Sequence, residues 1–366
     1  MNSTAAPETH ELRDIIDDAF VPYDDDELPH LNPVAIPAGN AINLFDPALA
    51  REAYAALPAH DDGDPATKPA RMKRKLIHAL IGHRYGHRRE VATATSATVA
   101  ALENLEHEQP HFANAIGIVR RAALSSLQNG TPMTFPHLLI IGPPGTGKTQ
   151  VIRKIANALA LPGTFIDLSS LDDTAALTGK SANWKSPGPS KIAKALARND
   201  TASIVLQLDE IDKASQGTES SDPLKHFHQL LEPETSHEWV DQFLDIPLNA
   251  SHILVLATAN ERSDIPRSIL DRFTVIEAAI ESEADHERIQ RSVTDGVALK
   301  LGIPVGSLER AAVIALRNHT PRTQRKILHI AIGFAATRGS RIPDNNDVLR
   351  AARIVQAEGS RRKIGF

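Results

Sequence analysis

No cysteine occurs anywhere in the chain, which excludes disulfides and thiolate metal sites. Aromatic residues make up only 4% of a chain that is 42% hydrophobic, so its interiors must be filled by Ala, Leu, Ile and Val, a choice that suits helices packed on a parallel sheet. No stretch approaches the roughly 18 apolar residues that a membrane-spanning helix needs. The start, MNSTAAPETHELRD, lacks a basic segment followed by an apolar run. A cytoplasmic protein with no membrane partner is the expectation. With 366 residues the chain exceeds one core of usual size and predicts two or three units.

Each sign of charge is also missing locally. Residues 1–64 hold 14 Asp and Glu against only Arg13 and Arg51. The next stretch holds Lys68, Arg71, Lys73, Arg74, Lys75, Arg84, Arg88 and Arg89 with no acidic residue among them. Such an asymmetry serves intramolecular pairing, an acidic partner or simply a solvated helix face. The first 67 residues are rich in Asp and Pro without a sustained period and read as extended or partly disordered. Residues 68–134 read as a helical lead-in ending in the turn former Asn129-Gly130.

From residue 135 short β-rich runs alternate with helical patterns: Leu138–Ile141, Thr164–Leu168, Ser203–Leu208, Ile253–Ala257 and Thr274–Ile276. Five such runs predict an α/β unit over 135–282, a five-stranded parallel sheet with helices on both faces. After it the strands stop. Helices are expected at about Ala284–Leu301, Ser307–Asn318, Pro321–Ala336 and Asn346–Glu358, giving a small all-helical lid over 283–366.

The string GPPGTGKT, comprising Gly142, Pro143, Pro144, Gly145, Thr146, Gly147, Lys148 and Thr149, matches the phosphate-loop pattern G-x-x-x-x-G-K-[ST]. It stands between an apolar strand and an amphipathic helix, as the mechanism requires. Its glycines let backbone N–H groups turn around phosphates, and the helix that follows, with Gln150 in its first turn, directs its positive end at them. Lys148 is placed to reach the β- and γ-phosphates of ATP, and Thr149 to put its hydroxyl on Mg²⁺. The buried-strand pattern IVLQLDEID ends in two adjacent carboxylates at the same sheet edge. Asp209 is the expected Mg²⁺ partner and Glu210 the base that polarises the attacking water. Asn260, at the end of HILVLATAN, orients that water or contacts the γ-phosphate; as an isolated Asn it would cap a turn. Arg272 precedes the last strand, where its donors can reach a neighbouring subunit's ATP; its bland alternative is an ion pair with Asp264 or Asp271.

In this order the motifs resemble the AAA+ ATPases, and within them the ATPase module of Lon-type ATP-dependent proteases, over about residues 135–340. GPPGTGKT, LDEIDKAS, the run from SSDPLKHFHQLLEPETSHEWVDQFLDIP to LATAN, and IPRSILDRFTVIE carry the resemblance. It implies a large α/β subdomain, a helical lid, a homo-oligomeric ring that is usually hexameric, and translocation of a polypeptide through a central pore. Carried over residue by residue, Asn260 is the first sensor, Arg272 the arginine finger and Arg322 the second sensor, with Arg325 as its rival. Trp184 takes the aromatic position of the substrate-gripping pore loop, although Lys185 and Ser186 follow it where the family has an aliphatic residue and glycine. The chain ends at Phe366, shortly after the lid, so proteolysis in cis is not expected.

His83 and His87 fall at i, i+4 spacing, but Gly82 and Gly86 weaken a helix there and no carboxylate completes a metal set, so they read as surface histidines, as do His226 and His228. Three function classes remain. An ATP-driven remodeller of another, unidentified protein leads. A nucleic-acid motor or loader using the basic stripe at 68–89 is not favoured. A nucleotide-gated assembly switch with slow hydrolysis is the third.

Overall fold

The computed structural model describes residues 33–36, 40–58, 67–144, 146–169, 174–181, 186–214, 223–278, 291, 294, 299, 304, 306–316, 319 and 321–361. Five strands form the central sheet: β3 (Leu138–Ile141), β4 (Gly163–Asp167), β5 (Val205–Asp209), β8 (Leu254–Ala259) and β9 (Thr274–Glu277). Their order is β4-β5-β8-β3-β9 and every pairing is parallel. The first strand thus lies between the fourth and fifth of the five. All five β-rich runs of the sequence are strands here, displaced by two residues or fewer at either end.

The three inner strands β5, β8 and β3 are almost wholly apolar and buried because both faces are covered, and successive side chains go to opposite sides. Leu139 and Ile141 of β3, Leu206 and Leu208 of β5, and Val255 and Ala257 of β8 enter one buried cluster. Leu138, Ile140, Val205, Leu254 and Leu256 enter the other. The first face is covered by α7 (Lys191–Arg198) and α9 (Pro223–Leu231). The second is covered by α3 (Ser96–Glu108), α4 (Ala113–Asn129) and α5 (Lys148–Leu159).

Within residues 1–67, read as extended or partly disordered, a short strand and a helix form. Residues 41–43 form β1 (Ala41–Asn43), paired antiparallel with β2 (Arg88–Glu90). Helix α1 (Pro47–Ala55) follows; Asp46 caps it by accepting from Ala48 N at 2.8 Å, and Pro47 opens its first turn. Leu44, Phe45, Ala50 and Tyr54 from this segment, with Leu76, Ile77 and Leu80 of α2 (Lys68–Ile81), join the first cluster. A boundary near residue 134 therefore divides the chain without dividing the core.

The short elements α6 (Thr174–Thr178), α8 (Ile211–Ala214), β6 (Trp239–Val240), β7 (Pro247–Leu248) and α10 (Arg267–Leu270) lie around the sheet. Beyond it, α11 (Arg310–Ala315), α12 (Pro321–Thr337) and α13 (Asn345–Arg361) bury Ala312, Ile327, Leu328, Ala331, Val348 and Ala351 against one another in a cluster of their own. Three of the four expected lid helices are present; the one expected at Ala284–Leu301 lies almost wholly outside the described residues. Among the described residues no helix is long and apolar enough to cross a membrane.

Candidate active site

The phosphate-loop residues connect β3 to α5, and two local demands explain their glycines. Gly147 is left-handed, with φ of 96°, where a side chain would be strained. A Cβ on Gly142 would stand 3.0 Å from the Cβ of Ala278 at the end of β9. Thr146 pins the loop by donating from its hydroxyl to Pro143 O at 3.0 Å, and Gln150 is exposed on α5. Gly145 lies outside the described residues.

Lys148 is buried, and its ammonium donates to Gly142 O at 2.6 Å, Pro143 O at 2.9 Å and Asn260 Oδ1 at 3.0 Å. Burial lowers its pKa, opposed by the carboxylates of Asp209, Asp212 and Glu210. Asn260 is bifunctional: its oxygen accepts from Lys148 while its Nδ2 donates to Glu210 Oε1 at 3.3 Å. The hydroxyl of Thr149 sits 2.8 and 2.9 Å from the two oxygens of Asp209. Lys148, Thr149, Asp209, Glu210 and Asn260, far apart in sequence, thus form one connected cluster at the C-terminal edge of β3, β5 and β8.

Two members of the site were not singled out from the sequence. Thr258 of β8, fully buried, donates its hydroxyl to Asp209 Oδ1 and accepts from Glu210 N at 3.1 Å. Its only signal in the sequence is a polar residue inside an apolar strand. Phe112, next to His111 in a short 3-10 turn at Pro110–Phe112, would lie 3.9 Å from a Cβ on Gly147, which brings the lead-in close to the loop. Asp212, the last carboxylate of LDEID, is fully buried and accepts from Glu261 N at 3.4 Å, tying α8 to the residue after Asn260.

Residues 138–279 match the family model described as ATPase family associated with various cellular activities (AAA). This segment is an AAA domain. Its sequence is similar to that of Lon proteases: 37% identical over 144 residues to the Lon protease of Clostridioides difficile (strain 630), covering 39% of this chain and 18% of that protein. The Lon protease of Chloroflexus aurantiacus is 36% identical over 171 residues, covering 47% and 20%. The chain thus matches a fifth or less of those relatives' length. Among solved structures, the Thermotoga maritima RuvB Holliday junction branch migration motor is 15% identical with a TM-score of 0.44, over 69% of this chain and 68% of that one. At that level of likeness nothing carries across.

The remaining expected site residues of the AAA domain and lid are less closely gathered. Arg272 follows α10 and pairs with Glu232 of its own chain, not with Asp264 or Asp271, and also donates to Ser268 O. It lines a cleft of about 540 Å³ together with Glu232, Phe135, His137 and Ser251. Arg267 is the residue that faces Asp271, at 4.0 Å. Arg322 and Arg325 are exposed on the first turns of α12, and among the described residues no hydrogen bond or ion pair joins either to the phosphate loop. Trp184 and Lys185 lie outside the described residues; Lys180 and Gly188, on either side of them in the sequence, form an antiparallel bridge. Beyond that segment, Ser190 caps α7 by accepting from Ala193 N at 3.0 Å and Lys191 donates to Phe165 O at 3.1 Å.

Contrary to the expectation of surface histidines, His83 is largely buried. It does not share a helix with His87, because α2 ends at Ile81. The side chain of His83 is only 9% exposed and meets Asp200 at 3.3 Å. The basic stripe is likewise drawn partly inward. Arg74 lies over the Tyr54 ring at 3.9 Å, Arg84 pairs with Asp200, and Arg89 is fully buried, donating to Gly86 O and Arg88 O.

Proposed function

We propose that this chain binds and hydrolyses ATP with Mg²⁺ and uses the turnover, as a ring of copies, to remodel another protein. The observation that carries the reading is the continuous chain Lys148, Asn260, Glu210 beside the Thr149 and Asp209 pair, which sets a cation, a neutral amide, a carboxylate and a metal-type oxygen pair at one sheet edge. These residues fit ATP and Mg²⁺. The loop N–H groups and Lys148 would hold the phosphates, while Thr149 and Asp209 would hold Mg²⁺, whose positive charge neutralises phosphate oxygens when bound. Glu210 takes the proton of the attacking water. Asn260 orients the Glu210 carboxylate through its amide N–H and is close enough to Lys148 to respond when that ammonium turns to a phosphate. Arg272 would act on a neighbouring copy's ATP, and Arg322 or Arg325 and Trp184 keep the sensor and substrate-gripping roles that the family resemblance implies.

The likeness to Lon proteases favours a polypeptide as the molecule acted on. Proteolysis is no part of the proposal, because the matched segment is at most 20% of either protease. The inward turn of Arg74 and Arg89 and the pairing of exposed Arg84 with Asp200 leave less charge for a phosphate backbone and weigh against a nucleic-acid motor. One second reading has support: with Arg272 held by Glu232 in cis, the protein would turn over slowly and act as a nucleotide-gated switch.

Steady-state ATPase rate against protein concentration, for wild type beside Glu210→Gln and Arg272→Ala, tests the proposal. A rate per subunit that rises with concentration and vanishes in both variants is expected. Lys148→Ala should lose ATP binding, whereas Glu210→Gln should bind ATP and trap it. Normal turnover by Glu210→Gln would sink the assigned base, and a flat or absent rate with ATP still bound would establish the switch.

A further inference from the structure

We infer that Thr258 is a positioning residue: its single hydroxyl yokes the carboxylate of Asp209 to the backbone of Glu210, so that the metal-binding and the water-activating groups move as one. The inference rests on the ATPase reading above.

Thr258 is fully buried in β8 between Ala257 and Ala259, both also fully buried, where an unbonded hydroxyl would be costly. Its bonding directions are determined by chemistry. An ionised carboxylate has no proton to give, so the Thr258 proton goes to Asp209 Oδ1. A lone pair then remains for Glu210 N, which donates to the same hydroxyl oxygen at 3.1 Å.

Both bonds hold groups that need holding. Asp209 is gripped from two sides, by Thr149 of the loop helix and by Thr258 of the neighbouring strand, which aims its carboxylate independently of any ion. Glu210 has a left-handed backbone, with φ of 56°, a conformation unfavourable for a residue with a Cβ. The bond to Thr258 anchors that backbone. Asn260, two positions further along and thus on the same side of an extended chain, holds the carboxylate of the same residue. Positions 258 and 260 therefore present one catalytic side chain from both its ends.

Three substitutions separate the hydroxyl from the packing. Thr258→Val keeps the shape and removes the hydroxyl, whereas Thr258→Ser and Thr258→Ala both remove the methyl and differ from each other in the hydroxyl alone. ATP affinity is measured by titration with and without Mg²⁺, and turnover beside it. Thr258→Ser should stay close to wild type. Thr258→Val and Thr258→Ala should bind Mg²⁺-free ATP as wild type does, lose most of the gain in affinity that Mg²⁺ brings, and turn over about 10- to 100-fold more slowly, the range seen when an outer partner of a metal ligand is removed. Equal Mg²⁺ gain and turnover in Thr258→Ser and Thr258→Ala would overturn the inference, even if Thr258→Val fails to fold. Absence of turnover in wild type would defeat the ATPase reading instead, and the Mg²⁺-linked affinity would still decide for or against Thr258.

Discussion

His83 illustrates what a residue's surroundings do to a group that sequence treats as generic. Burial pushes its pKa down from 6.5 to about 4, the guanidinium of Arg89 adds to the shift, and Asp200 opposes it. Because the folded pKa lies below that of the unfolded chain, the stability held in the neutral ring is fully present above pH 6.5 and is lost as pH falls toward 4, up to about 3 kcal/mol. Thermal melts between pH 7 and 4 should show a steeper loss in wild type than in His83→Gln; parallel curves would mean that His83 is not titrating there. The helix break at Gly82 was legible in the sequence, but the burial of His83 was not, because the arrival of Asp200 from a distant part of the chain is not a local property. Thr258 escaped notice for the same reason: its partners sit on a neighbouring strand.

Among the elements, two glycines with similar backbones separate turn chemistry from packing. Gly130 ends α4 at φ of 63°, and a Cβ there would have nothing within 4 Å, so its requirement is conformational only. Gly179 has φ of 75°, and a Cβ there would stand 2.7 Å from an oxygen of Asp241. That carboxylate is fully buried and accepts from the backbone N–H groups of Ser190, Phe243 and Leu244. Gly130→Ala should cost about 1 kcal/mol for the left-handed backbone alone. Gly179→Ala should cost clearly more, because Asp241 must shift and loosen its donors. Urea unfolding of both variants checks the order; equal losses would remove the packing argument. The Asn129-Gly130 stop was readable from local turn chemistry, as were the five strands from their apolar runs. Strand β1 and helix α1 were not, because three residues of strand followed by nine of helix leave no period long enough to detect, and the partner of β1 lies beyond α2.

For the molecule as a whole, the pair between Arg272 and Glu232 sets the condition under which neighbouring copies could cooperate. In the proposed ring Arg272 would have to leave Glu232 to reach another copy's ATP, so its contribution would appear only with assembly. Mixing Arg272→Ala with Glu210→Gln should restore part of the ATPase activity that neither variant has alone, since some interfaces then combine an intact arginine with an intact base. Failure in mixtures shown to assemble would assign Arg272 to the ion pair in cis. The same scale explains part of the reversal of charge between residues 1–64 and 68–89: Arg84 pairs with Asp200 of the AAA domain and Arg89 feels the same carboxylate, so part of the basic stripe fastens the lead-in to the sheet.

By itself the sequence determined the AAA-type sheet, the phosphate loop and the carboxylates of LDEID, because each depends on contiguous residues whose spacing encodes strand, turn and helix. Tertiary structure alone decided that Asn260 bridges Lys148 to Glu210, that Thr258 couples Asp209 to Glu210, that Phe112 approaches Gly147, and that Glu232 holds Arg272. These contacts join positions brought together by a strand order in which the first strand is inserted between the fourth and the fifth, and no local pattern of residues records which edges that insertion places side by side.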